Sequence, residues 1–235
     1  MRIFAIADLH LSGDPPYKPM TVFGHHWDNH WNKIKNDWYA RVTDEDVVLI
    51  AGDISWAMKL NEALVDLNDI SLLPGKKVFV KGNHDYWWQS INKMNTAMEN
   101  RVKFLQNNFF AIDDFAICGS RGWTCPGESS FTSSDLPIYE RELLRVESSI
   151  QEAKQNNFDK IVLALHFPPF PSTSMESGFV DLIKKYDIKI CVYGHLHSEA
   201  AYLAKAGFYD DIYYYLVSCD VLNFSLQEID LGVYT

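Results

Sequence analysis

Cysteine is scarce in this chain and never paired. Four residues, Cys118, Cys125, Cys191 and Cys219, are spread over 235 positions with no C-x-x-C spacing, which excludes a thiolate zinc ribbon and a disulfide-stapled scaffold. Cys118 and Cys191 lie inside apolar runs, so reduced, buried thiols are expected. Long hydrophobic runs are also missing. None approaches the roughly 20 residues that cross a bilayer, so no membrane partner is expected. A cleavable leader starting at Met1 would remove Asp8 and His10, so a cytoplasmic protein is expected. Positive charge is in deficit, with 21 Lys and Arg against 31 Asp and Glu and a net charge of −10. No extended nucleic-acid groove is expected on such a chain, since those surfaces are basic. There is no repeat, no charged tail and no flexible linker. With 47% hydrophobic and 14% aromatic residues, positions 1–235 fit one α/β domain with a substantial core.

Against these absences stand five short polar clusters: Asp8-Leu9-His10, Gly52-Asp53, Gly82-Asn83-His84-Asp85, a lone His166, and Gly194-His195-Leu196-His197. Each follows an apolar, β-branched run, at Ile3 to Ala7, Val47 to Ala51, Val78 to Val80, Ile161 to Leu165 and Ile188 to Tyr193. Such runs read as buried strands, which puts the polar residues at strand ends. In α/β sheets the carboxyl ends of neighbouring strands converge on one crevice, so distant clusters can share one site. Aspartate oxygen, imidazole nitrogen and an asparagine carbonyl together favour Mn²⁺, Fe or Zn²⁺ over calcium. The lack of cysteine ligands points to a catalytic rather than a structural site. Taken singly, each cluster also reads as a turn, Gly82-Asn83 as a type I′ hairpin turn. That reading does not account for metal-competent side chains at every strand end.

The ordered set D-x-H, G-D, G-N-H-D, H and G-H-x-H resembles the signature of the calcineurin-like metallophosphoesterase superfamily, from Met1 to about Ser218. The resemblance implies a four-layer α/β/β/α sandwich with two mixed sheets. It implies two divalent transition metals, Mn²⁺ first and Fe or Zn²⁺ as alternatives. Asp8, His10 and His197 would hold one, Asn83, His166 and His195 the other, and Asp53 would bridge them. His84 would meet the substrate phosphate and help the leaving group take a proton, while Asp85 would orient or neutralise a neighbour. Two such cations offset by two aspartates leave a positive pocket in an acidic protein, suited to a small phosphate ester.

Between the clusters, Pro15, Pro16 and Pro19 mark a loop that begins at His10 and forms a candidate wall of the site. Trp27, Trp31, Ile34 and Trp38 recur at helical spacing and predict an amphipathic helix whose tryptophans belong to the core. His25, His26 and His30 are not needed as ligands. Further helices are expected over Ala57 to Asp69, Trp87 to Glu99, Ile138 to Gln155 and Phe179 to Lys185. The Trp87 helix would aim its N-terminal amides at the metal site. Trp87 and Trp88, being adjacent, would not both face the core, so one would line the substrate entrance. Strands are expected at Val102 to Leu105, Phe109 to Ile112, Phe115 to Cys118, Ala200 to Leu203 and Ile212 to Val217, with a tight turn at Asp113-Asp114. Arg121, just past a strand, either reaches a substrate phosphate or is held in a salt bridge.

The expected reaction is hydrolysis of phosphate esters by a hydroxide activated between two metals. Gly52-Asp53 runs into Ile54-Ser55-Trp56 and lacks the Asp-Arg-Gly extension of the protein phosphatases, and Asp85 replaces their glutamate. Small phosphodiesters are the first reading and phosphomonoesters the second. A metal-binding scaffold without turnover is disfavoured, because His84 and every ligand are retained.

Overall fold

The computed structural model describes residues 1–202 and 204–234. Its strands form two sheets. The first contains β1 (Ile3–Ile6), β2 (Val47–Ala51), β3 (Lys76–Val80), β4 (Lys103–Leu105) and β11 (Gln227–Ile229), in the order β11-β1-β2-β3-β4. The second contains β5 (Phe109–Ile112), β6 (Phe115–Ser120), β7 (Lys160–Leu165), β8 (Ile190–Tyr193), β9 (Gly207–Tyr209) and β10 (Ile212–Leu216), in the order β5-β6-β7-β8-β10-β9. Both are mixed. β1 to β4 run parallel with β11 antiparallel at the edge, and β6, β7, β8 and β10 run parallel between antiparallel β5 and β9.

Strand periodicity assigns the faces. Ile3, Ala5, Ala7, Val47, Leu49 and Ala51 meet Ile117, Val162, Ala164, Ile190 and Val192 in a core between the sheets. The alternate residues Phe4, Ile6, Val48, Ile50 and Phe79 turn outward. They pack against α1 (His30–Arg41) and α2 (Leu60–Ser71) through Ile34, Trp38, Ala63 and Leu67. On the other side Cys118, Ile161, Leu163 and Cys191 pack under α4 (Leu136–Gln155) and α5 (Gly178–Lys185) through Val146, Ile150, Phe179 and Ile183. Strands buried on both faces explain the unbroken apolar runs. The result is the expected four-layer α/β/β/α sandwich with two mixed sheets. All four cysteines are buried and unpaired. Among the described residues no helix is long and apolar enough to cross a membrane.

Three local expectations fail. The helix expected from Trp87 is α3, Ile91–Ala97, and Trp87 and Trp88 precede it in a turn. Their indole N–H groups donate to Asp85 and Gln106, and both rings are buried, at 0% and 8% exposure. Neither lines an entrance, because the turn lets adjacent side chains enter the same core. Ala200 to Leu203, expected as a strand, lies in the helix α6 (Ser198–Tyr202) up to Tyr202, and Leu203 falls outside the described residues. Trp27 belongs to a 3₁₀ turn, His25–Trp27, and α1 starts only after Asn29 adopts a left-handed conformation. The edge strands β9 and β11 carry no strong apolar pattern and were not anticipated from sequence.

Candidate metal centre

β1, β2, β3, β7 and β8 deliver their C-terminal ends to one edge of the sandwich, where the five polar clusters meet. Asp8 N–H donates to the Gly52 carbonyl at 2.9 Å, His10 N–H to the Asp53 carbonyl at 3.0 Å, and Gly194 N–H to the His166 carbonyl at 3.0 Å. The backbone bends sharply to turn the side chains inward. Asp8, His10, Asp53 and His195 all have positive φ, at 61°, 49°, 51° and 74°. For non-glycine residues this conformation is uncommon and clusters at functional sites. Gly194 serves close approach instead, since a Cβ there would lie 2.5 Å from the Ala7 Cβ and 2.7 Å from Asp8 Oδ2. The bend itself is taken by His195. Gly82 is likewise pressed on Asp53, whose Oδ1 would lie 2.1 Å from an added Cβ.

Two groups of ligand-type atoms form here, each with its atoms within 4.8 Å of one another: Asp8, His10 and His197, and Asp8, Asp53 and His166. Asp8 belongs to both. Asp53 Oδ2 reaches the first group across 3.8 Å to His10 Nε2 and lies 3.6 Å from His166 Nε2. Asn83 Oδ1 is 2.7 Å from His166 Nε2, and His195 Nδ1 is 3.3 Å from the same nitrogen. All seven expected ligands are therefore brought together. Two of them are oriented from behind. His166 Nδ1 faces the Ala51 carbonyl at 2.9 Å, which requires the proton on Nδ1 and leaves Nε2 as a donor pair for the site. His197 Nδ1 faces Asp220 Oδ1 at 2.7 Å, leaving Nε2 3.4 Å from Asp8 Oδ1. Asp220 was missed from sequence. Its signal was its place three residues past the apolar run Ile212 to Val217, at the end of another strand.

The electrostatics fit divalent cations. Burial and the charge of Asp8 push the Asp53 carboxyl well above its ordinary range. Burial opposes the charge on Asp8 too, yet His197, close to its Oδ1, and the neighbouring imidazoles of His166 and His10 hold it below that range. Without a cation the two carboxylates thus compete for one negative charge. Burial drives His10 and His195 down to about 3, so both present neutral ring nitrogens as ligands do. Burial also opposes charge on His197, but Asp220 and Asp8 outweigh it and raise the imidazole to about 10. Asp8 Oδ1 is buried without a hydrogen-bond partner, an orphaned oxygen that a bound cation would satisfy.

His84 stands beside this group, half-buried. Its backbone N–H donates to Asp53 Oδ1 at 2.8 Å, and its ring lies 4.5 Å from Trp56 and 5.8 Å from His10. Burial first, then the charges of His166 and Lys18, lower its pKa. Asp85 is fully buried. It accepts the N–H groups of Ile54, Ser55 and Gly82 and the Trp87 indole, tying the Asp53 and Asn83 turns together. Arg121 contributes its backbone carbonyl to the N–H groups of His166 and Phe167. Its guanidinium lies over Trp123, 3.7 Å from the buried Glu142 carboxylate, which is the salt-bridged alternative.

A search of curated proteins returns no match. Among solved structures the chain resembles the protein TT1561 of Thermus thermophilus at 11% identity and a TM-score of 0.60, over 98% of this chain and 99% of that one. It also resembles a protein of unknown function from Aquifex aeolicus, at 14% identity and 0.51, over 97% and 95%. A third is the calcineurin-like phosphoesterase YfkN from Bacillus subtilis, at 15% identity and 0.50, over 94% and 82%. At these identities the likeness shows the fold. The family model for calcineurin-like phosphoesterases matches residues 1–199, a span that holds every strand-end cluster described above. On that match the chain belongs to the calcineurin-like phosphoesterase family and is a metal-dependent phosphoester hydrolase.

Proposed function

We propose that the protein hydrolyses small phosphodiesters in the cytoplasm with two divalent cations, Mn²⁺ before Fe or Zn²⁺. Asp8, His10 and His197 hold one ion, Asn83, His166 and His195 the other, and Asp53 bridges them. The observation that carries this reading is the buried Asp8–Asp53 pair, with Asp8 Oδ1 unsatisfied and the imidazoles of His10 and His195 held neutral beside it. Bound there, such ions lower the pKa of water and set positive charge against the phosphoryl oxygens.

The chain's own residues do the rest. Asp53 fixes the position of the His84 backbone and so aims its imidazole at the mouth of the site. His84 gives a proton to the departing oxygen, a role suited to an imidazole that is not a ligand and lies at the edge of solvent. Asp85 acts through the Asp53 and Asn83 turns and touches no substrate. Met20, Phe23, Trp27 and Trp56 line the cavity of about 260 Å³ over the ligands and keep bulk water away from it. Arg121, its guanidinium balanced by Glu142, supports the His166 turn through its backbone carbonyl.

The test uses chelated protein reloaded with Mn²⁺, Fe²⁺ or Zn²⁺ and assayed on bis(p-nitrophenyl) phosphate and p-nitrophenyl phosphate. The expected result is a higher kcat/KM on the diester with Mn²⁺. A higher kcat/KM on the monoester with all three metals would assign the enzyme to phosphomonoesters instead.

A further inference from the structure

Two cavities meet at Trp56 and His84. The inner one covers the metal ligands, while the outer cleft, about 930 Å³, opens beyond His84 along the loop that follows His10. With the phosphoryl group over the ligands and His84 protonating the departing oxygen, the leaving group extends past His84 toward this cleft, which shares Trp56 and His84 with the inner cavity as its lining. At its throat stands Lys18. Its Nζ is 3.1 Å from the centre of the Trp56 ring, and among the described residues it forms no ion pair and no side-chain hydrogen bond. Unlike most lysines it is half-buried, beside His84.

The loop is built to hold it there. Ser12 Oγ accepts the Lys18 N–H at 3.1 Å and donates to the Lys18 carbonyl at 3.0 Å. Tyr17 N–H donates to the Ser12 carbonyl at 3.0 Å. Asp66, buried on α2, accepts Gly13 N–H at 2.8 Å and Ser55 Oγ at 2.5 Å, which pins the loop to the turn after Asp53. With its main chain fixed by these contacts and its ammonium resting only on an indole face, Lys18 keeps its hydrogen-bonding capacity for a ligand. The two acids of the cleft, Asp14 and Glu62, are exposed at its rim, and neither pairs with Lys18. They disfavour negative charge farther out and confine an anion to the throat.

We propose that Lys18 binds an anionic group carried by the leaving group next to the scissile phosphoryl, either a second phosphoryl or a carboxylate. This rests on the hydrolytic reading for the direction in which the leaving group departs. Substrates would then be phosphate esters or anhydrides whose leaving group is itself an anion.

The test is calorimetric titration of the Mn²⁺-loaded protein, in excess Mn²⁺, with methylenebisphosphonate, phosphonoacetate and methylphosphonate. The proteins compared are wild type, Lys18→Met and Lys18→Arg, with thermal unfolding run on each. Wild type should bind one or both of the two-anion probes at least roughly 10-fold more tightly than methylphosphonate. Lys18→Met should lose that preference and Lys18→Arg keep it, with unfolding midpoints alike. Preference for methylenebisphosphonate alone identifies a phosphoryl, and preference for phosphonoacetate as well shows that a carboxylate suffices. A preference that survives Lys18→Met, or no preference in wild type, overturns the proposal. Binding is read without turnover, so a Lys18-dependent preference in a protein inert to both nitrophenyl esters would overturn the preference for simple phosphodiesters and leave the anion site standing.

Discussion

The Asp53 carboxylate faces two ways. Its Oδ1 accepts the His84 backbone N–H at 2.8 Å, while its Oδ2 lies 3.6 Å from His166 Nε2 and 3.8 Å from His10 Nε2. One side chain thus sets both the ligand group and the residue proposed for proton transfer. The arrangement depends on Gly82, because any Cβ there would collide with Asp53 Oδ1. Asp53→Asn keeps the shape and removes the charge. It should lose at least one metal ion per chain by elemental analysis and lose activity with it. Full activity with unchanged metal content would rule out Asp53 as a metal ligand.

Among the described residues His84 hydrogen-bonds to the ligand group through its backbone N–H, and its ring nitrogens are not part of either ligand cluster. His84→Ala should keep its metal content and lose roughly 10²-fold or more in kcat on an ester with a poor leaving group. The loss should be smaller on a nitrophenyl ester, whose leaving group departs without a proton. Equal losses on both would show that His84 positions the phosphate and gives no proton.

Much of this site could be read from the chain, because metal ligands must be of few chemical types and buried parallel strands must be apolar on both faces. Asp8, His10, Asp53, Asn83, His166, His195 and His197 stand where two such constraints meet, at the ends of apolar runs. Asp220 also follows an apolar run, but an aspartate that orients a histidine belongs to no ligand spacing that would single it out. Trp87 and Trp88 were misread for a related reason. Helical or strand periodicity governs which way neighbours point only inside an element, and these two lie in a turn whose geometry is set by Asp85 and Gln106. The left-handed backbone at Asp8, His10, Asp53 and His195 also has no sequence signal, since none is glycine.

Asp220 is a positioning residue for His197. Asp220→Asn removes the charge that keeps the proton on His197 Nδ1 and should weaken metal affinity by roughly 10 to 100-fold. Competition against a fluorescent chelator measures this without any substrate. Asp220→Glu should recover part of the loss, whereas a merely structural role would lower the unfolding midpoint and leave affinity unchanged.

Trp87 fills the core below the Asp85 turn with no exposed surface. Trp87→Ala should cost about 3–5 kcal/mol by denaturant unfolding, the range for deleting a buried large aromatic side chain. Trp87→Phe should cost less while still losing the indole hydrogen bond to Asp85. A Trp87→Ala protein of wild-type stability with an altered KM would return this residue to the substrate entrance.

Far from the site, Asp46 gives a pH dependence whose sign is fixed by its partners. The carboxylate accepts the Arg2 backbone N–H and guanidinium at 2.8 Å each and the Thr43 N–H and hydroxyl at 3.0 and 2.9 Å. Burial alone would raise its pKa, but Arg2 and Thr43 outweigh that and hold it below the ordinary carboxylate range. A depressed folded-state pKa means that the stabilisation is complete above the unfolded value, near pH 4, and is lost as pH falls below it. Arg2 is partly exposed, so its share is screened by solvent. Asp46→Asn should therefore cost about 1–2 kcal/mol at pH 7. The gap from wild type should narrow steadily in urea unfolding between pH 4 and the acid limit, where the wild-type carboxyl is protonated too. A gap that stayed constant over that range would mean that Asp46 acts through shape alone, with its charge contributing nothing to the link between Arg2 and the start of β2.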